Sequence, residues 1–269
     1  MPEHLRITRD GSSATVTMAR PEVHNAFNET LIAELHAAFT ELAADASVRV
    51  VILAGEGKSF SAGADLDWMR RMSQASEADN RADAERLAAM LRAVAACPKP
   101  VVARVQGAAI GGGAGLVAAA DIAIAAESAH IGFAEVRLGL APATIAPHVI
   151  ARIGTGAALP LFLTGERFDG VYAARIGLVH RAVPETELDD LVRQTVEALL
   201  AGSPAAQAAI KRMVPRVEAL LAAPVPGIGT ISEVDAYTSE LIASLRASPE
   251  GREGIAAFLE KRKPEWSSE

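Results

Sequence analysis

The sequence predicts an α/β fold in which ββα or βαβ units stack and a helical C-terminal subdomain follows. Two observations predict it. From Leu5 onward the order is strand pair, helix, strand, helix, strand, helix, the alternation expected of α/β architectures. After about Pro184 the pattern turns almost wholly helical, placing a division near residues 1–200 and 201–269. Composition adds a constraint on packing: 50% of the 269 residues are hydrophobic but only 4% are aromatic. Ala, Val, Leu and Ile are therefore expected to fill the core through close helix contacts.

Leu5–Arg9 and Ala14–Met18 alternate around Asp10-Gly11, a hairpin signal. Residues 20–28, RPEVHNAFN, read as a polar loop, with Asn28 the N-cap of a helix over Glu29–Ala44 whose apolar residues recur at helical spacing. Val48–Leu53 reads as a buried strand, and a short helix starts near Asp65. Glu77–Ala96 is helical and stops at the Pro98/Pro100 pair. Strands follow at Val101–Val105, Asp121–Ala125 and His130–Phe133, then helices around Ala146–Arg152, Gly156–Leu163 and Asp169–Ile176. A strand at Leu178–Ala182 precedes helices at Leu188–Ala201, Pro204–Leu221, Ile231–Ala247 and Gly251–Lys261. Ala201–Pro204 and Ala222–Thr230 are the linker-like points.

A net charge of −7 argues against nucleic acid as a main partner, because neutralising phosphates needs a concentrated basic surface. Cys97, the single cysteine, rules out an internal disulfide and suits a reducing cytosol. The N-terminus lacks a basic start followed by an apolar core, and the longest uncharged apolar run, residues 107–120, is shorter than the ~20 residues of a membrane span. A cytoplasmic protein with no membrane partner is expected.

Two glycine-containing loops each follow a strand and open a helix: Ser61-Ala62-Gly63-Ala64-Asp65, and Gly111-Gly112-Gly113. Free backbone N–H groups at such junctions can hold negative charge developing on an oxygen. Taken singly, such glycines more simply ease a turn; two in matching places favour a site. Neither is a phosphate loop, since GxxxxGK[ST] is absent and no GxGxxG follows the first strand. No histidine pair has metal-ligand spacing, and GxSxG does not occur. Beyond the glycines stands Glu135, between Phe133-Ala134 and Val136, in a neighbourhood that should desolvate it, raise its pKa and poise it for proton transfer. A surface glutamate paired with Arg137 is the plainer reading.

RPEVHNAFN, SFSAGADLDWM, PKPVVARVQGAAIGGGAGL, AADIAIAAESAHIGFAEVRLGLAP and LTGERFDGVYAARIGLV occur in the order and spacing of the crotonase superfamily, the enoyl-CoA hydratase/isomerase family, which the chain resembles over nearly its whole length. Within it, FSAGADLDWM and GFAEVRLGLAPA look most like hydratases of branched and carboxylated enoyl-CoAs, such as methylglutaconyl-CoA hydratase.

The resemblance implies a crotonase-like spiral of ββα units with a C-terminal helical subdomain for oligomerisation and pocket closure, and an acyl-CoA substrate. It implies no metal or redox cofactor beyond the coenzyme A of that substrate, and a homotrimer or hexamer. The family's two oxyanion donors fall on the N–H groups of Ala62 and Gly112. Val23, His24 and Ala26, together with Ala62, Gly63, Ala64, Asp65 and Gly111, resemble stretches that wrap coenzyme A. Phe258 and Lys261 match a C-terminal pair that approaches it, Lys261 having a solvated-surface alternative in the run EKRK.

Hydratases of the family carry two glutamates. The second matches Glu135; the first falls on Gly115 and is absent. One carboxylate leaves hydration, double-bond isomerisation, enolate chemistry such as C–C cleavage or decarboxylation, or an idle CoA-binding subunit all open. The resemblance favours hydration. The segment after Glu135 also departs from a glycine-rich PGxGG: Thr144 and His148 become candidates for substrate contact, with loop packing the simpler account.

Overall fold

In the computed structural model, which describes residues 2–222 and 231–267, the opening alternation becomes a hairpin of β1 (Leu5–Asp10) and β2 (Ser13–Met18). Its inward residues Ala14, Val16 and Met18 are fully buried. β2 continues into a parallel array: β3 (Val50–Gly55), β4 (Val101–Val105), β6 (Ile122–Ala126) and β9 (Arg181–Val183) complete a six-stranded sheet of order β1-β2-β3-β4-β6-β9. Buried on both faces, these parallel strands read as near-continuous apolar runs.

A second, three-stranded sheet holds β5 (Ala108–Ile110), β7 (His130–Gly132) and β8 (Arg167–Asp169) in the order β5-β7-β8. Twice the chain lays a strand in the large sheet, turns, and lays the next in the small one: β4 then β5, and β6 then β7. A third turn is sketched by Ser61, beyond β3, which bridges Ala109 in parallel. These are the stacked ββα units.

Helices close each turn. α1 (Glu29–Ala44) starts at Asn28, whose side chain accepts the Leu31 N–H at 2.8 Å, and buries Leu31, Ile32, Leu35, Ala38, Phe39 and Leu42. α2 (Leu66–Gln74), α3 (Glu77–Ala95) and α4 (Gly112–Ala119) follow. α5 (Ala146–Thr164) leaves helical geometry at Gly154, so the two helices expected there meet at a kink. Among the described residues it is the one helix long and apolar enough to pass as a membrane span, but the break leaves two pieces, each far short of ~20 residues. α6 (Gly170–Arg175) and α7 (Leu188–Leu200) complete the order.

The described residues fall into two units, Met1–Val196 and Glu197–Glu269. In the second, α9 (Ile231–Ala247) packs against both α8 (Pro204–Leu221) and α10 (Pro249–Leu259). There Arg262 pairs with both Glu253 oxygens, and the Trp266 indole N–H donates to Ala201 O. The expected linker at Ala222–Thr230 lies, apart from Ala222, outside the described residues.

The scarce aromatics do more than composition suggests. Phe27, Phe39, Phe60 and Phe133 are among the largest fully buried side chains, and Phe133 meets Phe162 edge-on with centroids 5.1 Å apart. The strand expected at Leu178–Ala182 begins only at Arg181. Leu178 and Val179 are core residues presented by a turn.

Candidate active site

The site is built where the small sheet meets the large one. The Gly111 N–H donates to Gly132 O at 2.9 Å, tying the glycine turn to β7, the strand that leads to Glu135. Gly111 has φ 53° and ψ −118°, a region open only to glycine. A Cβ there would also lie 3.1 Å from Glu135 Oε1. The glycine thus permits the turn and leaves room for the carboxylate, placing Glu135 against the N-terminal end of α4.

Glu135 opens a 3-10 turn, Glu135–Leu138, two residues past Phe133 in its aromatic cluster with Phe162 and Phe168. Its Oε2 is buried with no hydrogen-bond partner among the described residues, so it makes no ion pair with Arg137. Burial pushes its pKa above the ordinary value, only partly offset by a contact with its own backbone N–H. A half-desolvated carboxyl with one oxygen free suits proton transfer.

Gly112 is the first residue of α4, so its N–H has no intrahelical acceptor. Behind it sits Phe27: a Cβ on Gly112 would fall 2.4 Å from Phe27 Cε2. At the other end of α4, Arg152 donates to the carbonyls of Ala118, Ala120 and Asp121, which places a cation where the helix dipole favours one.

The second donor differs from the expectation. The Ala62 N–H is committed to His24 O at 2.9 Å and cannot serve as an oxyanion donor. The next free amide is that of Ala64. Phe27 and Ala64 form a parallel bridge in which Phe27 N–H donates to Gly63 O (2.7 Å) and Asp65 N–H to Phe27 O (2.9 Å). In such a bridge the polar groups of the middle residue point the other way. Ala64 N–H accordingly has no acceptor among the described residues.

The two loops lie alongside each other. The Ser61 N–H donates to Ala108 O and the Ser61 carbonyl accepts from the Ile110 N–H, both at 2.9 Å, and a Cβ on Gly63 would lie 3.1 Å from Ile110 O.

Asp65 also departs from a ligand-wrapping role. Its carboxylate caps α2 by accepting from Asp67 N–H and Trp68 N–H, and pairs with Arg20 at 3.0 Å. Burial alone would raise its pKa, but these bonds together outweigh it and hold it below the ordinary value. Both its N–H and its carboxylate are occupied within the protein.

The loop before α1, expected to be polar, is held from within by Asn25, a residue that sequence reasoning did not single out. Asn25, fully buried, donates to Glu56 O and Ser59 O and accepts from Arg20 N–H. His24 and Asn25 both hold φ 54°, uncommon outside glycine. His24 is exposed and its ring contacts Ser59 Oγ at 3.0 Å; Val23 is exposed beside it, whereas Ala26 is buried. Phe258 is 82% exposed and Lys261 is exposed with φ 55°, both in the second unit.

The position of the missing carboxylate is filled. A Cβ on Gly115 would land 2.4 Å from Ile145 Cγ2 and 3.7 Å from Leu91 Cδ2, and Ile145 is 2% exposed. An apolar plug stands where a second glutamate would project. One turn beyond Ile145, burial and then the nearby Arg92 hold the His148 pKa below its ordinary value, keeping that ring neutral. Among the described residues no cluster of His, Cys, Asp and Glu is arranged to hold a metal ion.

The sequence and the fold both resemble known proteins. Residues 8–269 match the sequence profile of the enoyl-CoA hydratase/isomerase family. The crystal structure of an enoyl-CoA hydratase from Shewanella pealeana is 38% identical and superposes with a TM-score of 0.92, over 98% of this chain and 96% of that one. AtuE of Pseudomonas aeruginosa is 34% identical with a TM-score of 0.90, over 99% and 100%. The short-chain-enoyl-CoA hydratase of Clostridium acetobutylicum is 31% identical over 96% of this chain and 95% of its own. A profile matched from residue 8 to residue 269 and relatives more than 30% identical over nearly the whole length show that the chain belongs to the enoyl-CoA hydratase/isomerase family.

Proposed function

We propose that this protein hydrates the C2–C3 double bond of an enoyl-CoA thioester, with Glu135 as the single acid/base and the N–H groups of Ala64 and Gly112 as the oxyanion donors. The observation that carries the reading is the Glu135 carboxyl, half-buried against Gly111, with Oε2 unpartnered. In the reaction Glu135 accepts a proton from the water whose oxygen bonds to C3. The electron pair of the double bond moves toward the thioester oxygen, where two preorganised donors stabilise it more strongly as charge grows. Glu135 then returns the proton to C2. The raised pKa makes its carboxylate a stronger base at the step that takes the proton from water.

The acyl chain we assign is branched or carboxylated, of the methylglutaconyl-CoA kind, because the sequence around Ala62 and Glu135 resembles such hydratases. The plug of Ile145 at Gly115 gives one side of the site an apolar wall suited to a substituted chain. Coenzyme A arrives with the substrate along Val23, His24, Ala26 and Gly63. No metal or redox cofactor takes part. The protein works in the cytoplasm as a homotrimer or hexamer built on the C-terminal helices.

A panel of trans-2-enoyl-CoA thioesters tests the reading. Loss of the conjugated enoyl absorbance is expected, and Glu135→Gln should slow it by about 10²- to 10⁴-fold. The second reading, a double-bond isomerase, is favoured by the single carboxylate, since one base suffices to shuttle a proton. A trans-3-enoyl-CoA would then gain conjugated absorbance. Turnover unchanged in Glu135→Gln removes Glu135 from the mechanism, and binding of thioesters without any turnover marks an idle CoA-binding subunit.

A further inference from the structure

We infer that Phe27 is a positioning residue for the reaction, setting at once the direction of one oxyanion donor and the depth of the other; this rests on the donor pair proposed above. Phe27 touches both loops by different means. Its backbone bridges Ala64, taking Gly63 O and Asp65 N–H and so leaving the Ala64 amide turned away. Its ring lies where a Gly112 side chain would be, with Cε2 2.4 Å and Cδ2 2.6 Å from the position a Cβ would take. The start of α4 rests on the ring edge, and the ring, 1% exposed, is fixed in the core.

The separation of the two donors is therefore set by one residue: its main chain at the Ala64 end and its ring at the Gly112 end. A carbonyl oxygen accepts both N–H groups well only if each lies about 2.7–3.1 Å away. A smaller side chain leaves the backbone bridge intact and lets the Gly112 end settle inward. The effect falls on charge stabilisation in the transition state and hardly on the coenzyme A contacts. A transition-state interaction of this kind lowers kcat and leaves KM nearly unchanged.

The test uses the full-length protein, Phe27→Leu, Gly112→Ala and the double variant, each checked for folding by circular dichroism and melting temperature. In Phe27→Leu, kcat should fall about tenfold with KM within about twofold of the parent. A bound cinnamoyl-CoA thioester, whose absorbance moves to longer wavelength as its carbonyl is polarised, should show a smaller shift than in the parent. Gly112→Ala collides with the ring and should lose most activity; adding Phe27→Leu makes room for the new methyl and should recover part of it. A folded Phe27→Leu with unchanged kcat and unchanged cinnamoyl shift overturns the assignment. So does a double variant no more active than Gly112→Ala. If the parent hydrates no thioester at all, the proposed activity fails instead, and the shift of the bound chromophore, which needs no turnover, still decides the role of Phe27.

Discussion

Gly115→Ala puts the apolar plug under direct strain. The new Cβ would sit 2.4 Å from Ile145 Cγ2, 3.0 Å from Ile145 Cβ and 3.7 Å from Leu91 Cδ2. Carbon atoms attract best at about 3.5–4.0 Å, so the first two are overlaps of about 1 Å and 0.5 Å and the third is ordinary contact. Ile145 is held in the core, so the added methyl acts as overpacking and costs about 1–3 kcal/mol. Against this, alanine inside α4 recovers about 0.5–1 kcal/mol over glycine. The net expectation is a loss of about 1–2 kcal/mol. Ile145→Ala alone costs about 2–5 kcal/mol through the cavity it leaves. In that background Gly115→Ala should become neutral or stabilising, a coupling of about 1–3 kcal/mol, the overpacking relieved. Urea unfolding of the four proteins measures it. A Gly115→Ala protein as stable as the parent, with Ile145 intact, would show that the notch is open and that a second carboxylate could be restored by one substitution.

Two further outcomes follow from the charges. Glu135 has a folded pKa raised above its ordinary 4.5, so its contribution to stability is fully present below about 4.5 and is lost as pH rises through the folded value. Glu135→Gln should therefore melt higher than the parent at neutral pH, with the gap closing in melts run below about pH 4.5. Asp65 runs the other way: its folded pKa lies below the ordinary 3.8, so its stabilisation holds above that value and is lost as pH falls through the folded one. Asp65→Ala leaves Arg20, whose side chain is 12% exposed, without its carboxylate and uncaps α2, a loss of about 3 kcal/mol or more. Asp65→Asn keeps the cap and should fall between, as urea midpoints would show.

Where local physics decides, the sequence is a good guide. α1 runs from Glu29 to Ala44 because a capping Asn28 meets an apolar face at helical spacing, and both are properties of neighbours in the chain. The kink at Gly154 was legible in the same way. Strands fare worse because their ends are set by distant partners: β3 runs over Val50–Gly55 because Ser13 pairs with Val50 and Met18 with Gly55. β5 and β8, three residues each, are held by distant partners, β7 for both and Ser61 as well for β5, and carry too few residues for a period to show.

The site divides along the same line. The isolation of Glu135 and the vacancy at Gly115 can be read from residue identity. The direction of an amide cannot, which is why the motif suggests Ala62 while the hydrogen bonds leave Ala64 free. Ile145, thirty residues from Gly115, carries no local signal that it will plug the gap, and Phe27 reads as an unremarkable loop residue until its ring is seen beneath Gly112.

The segment from Ser61 to Ala64 is clamped at both ends, by the Ser61–Ala109 bridge and the Phe27–Ala64 bridge. Between the clamps the chain bends at Gly63, where φ is 96°, so which amide meets the substrate depends on that bend and on the number of residues the clamps enclose. Many side-chain changes leave that count alone. A single inserted or deleted residue changes it, moving the unpaired N–H away from the place where the developing oxyanion needs a donor. This stretch should therefore drift in identity far more freely than in length.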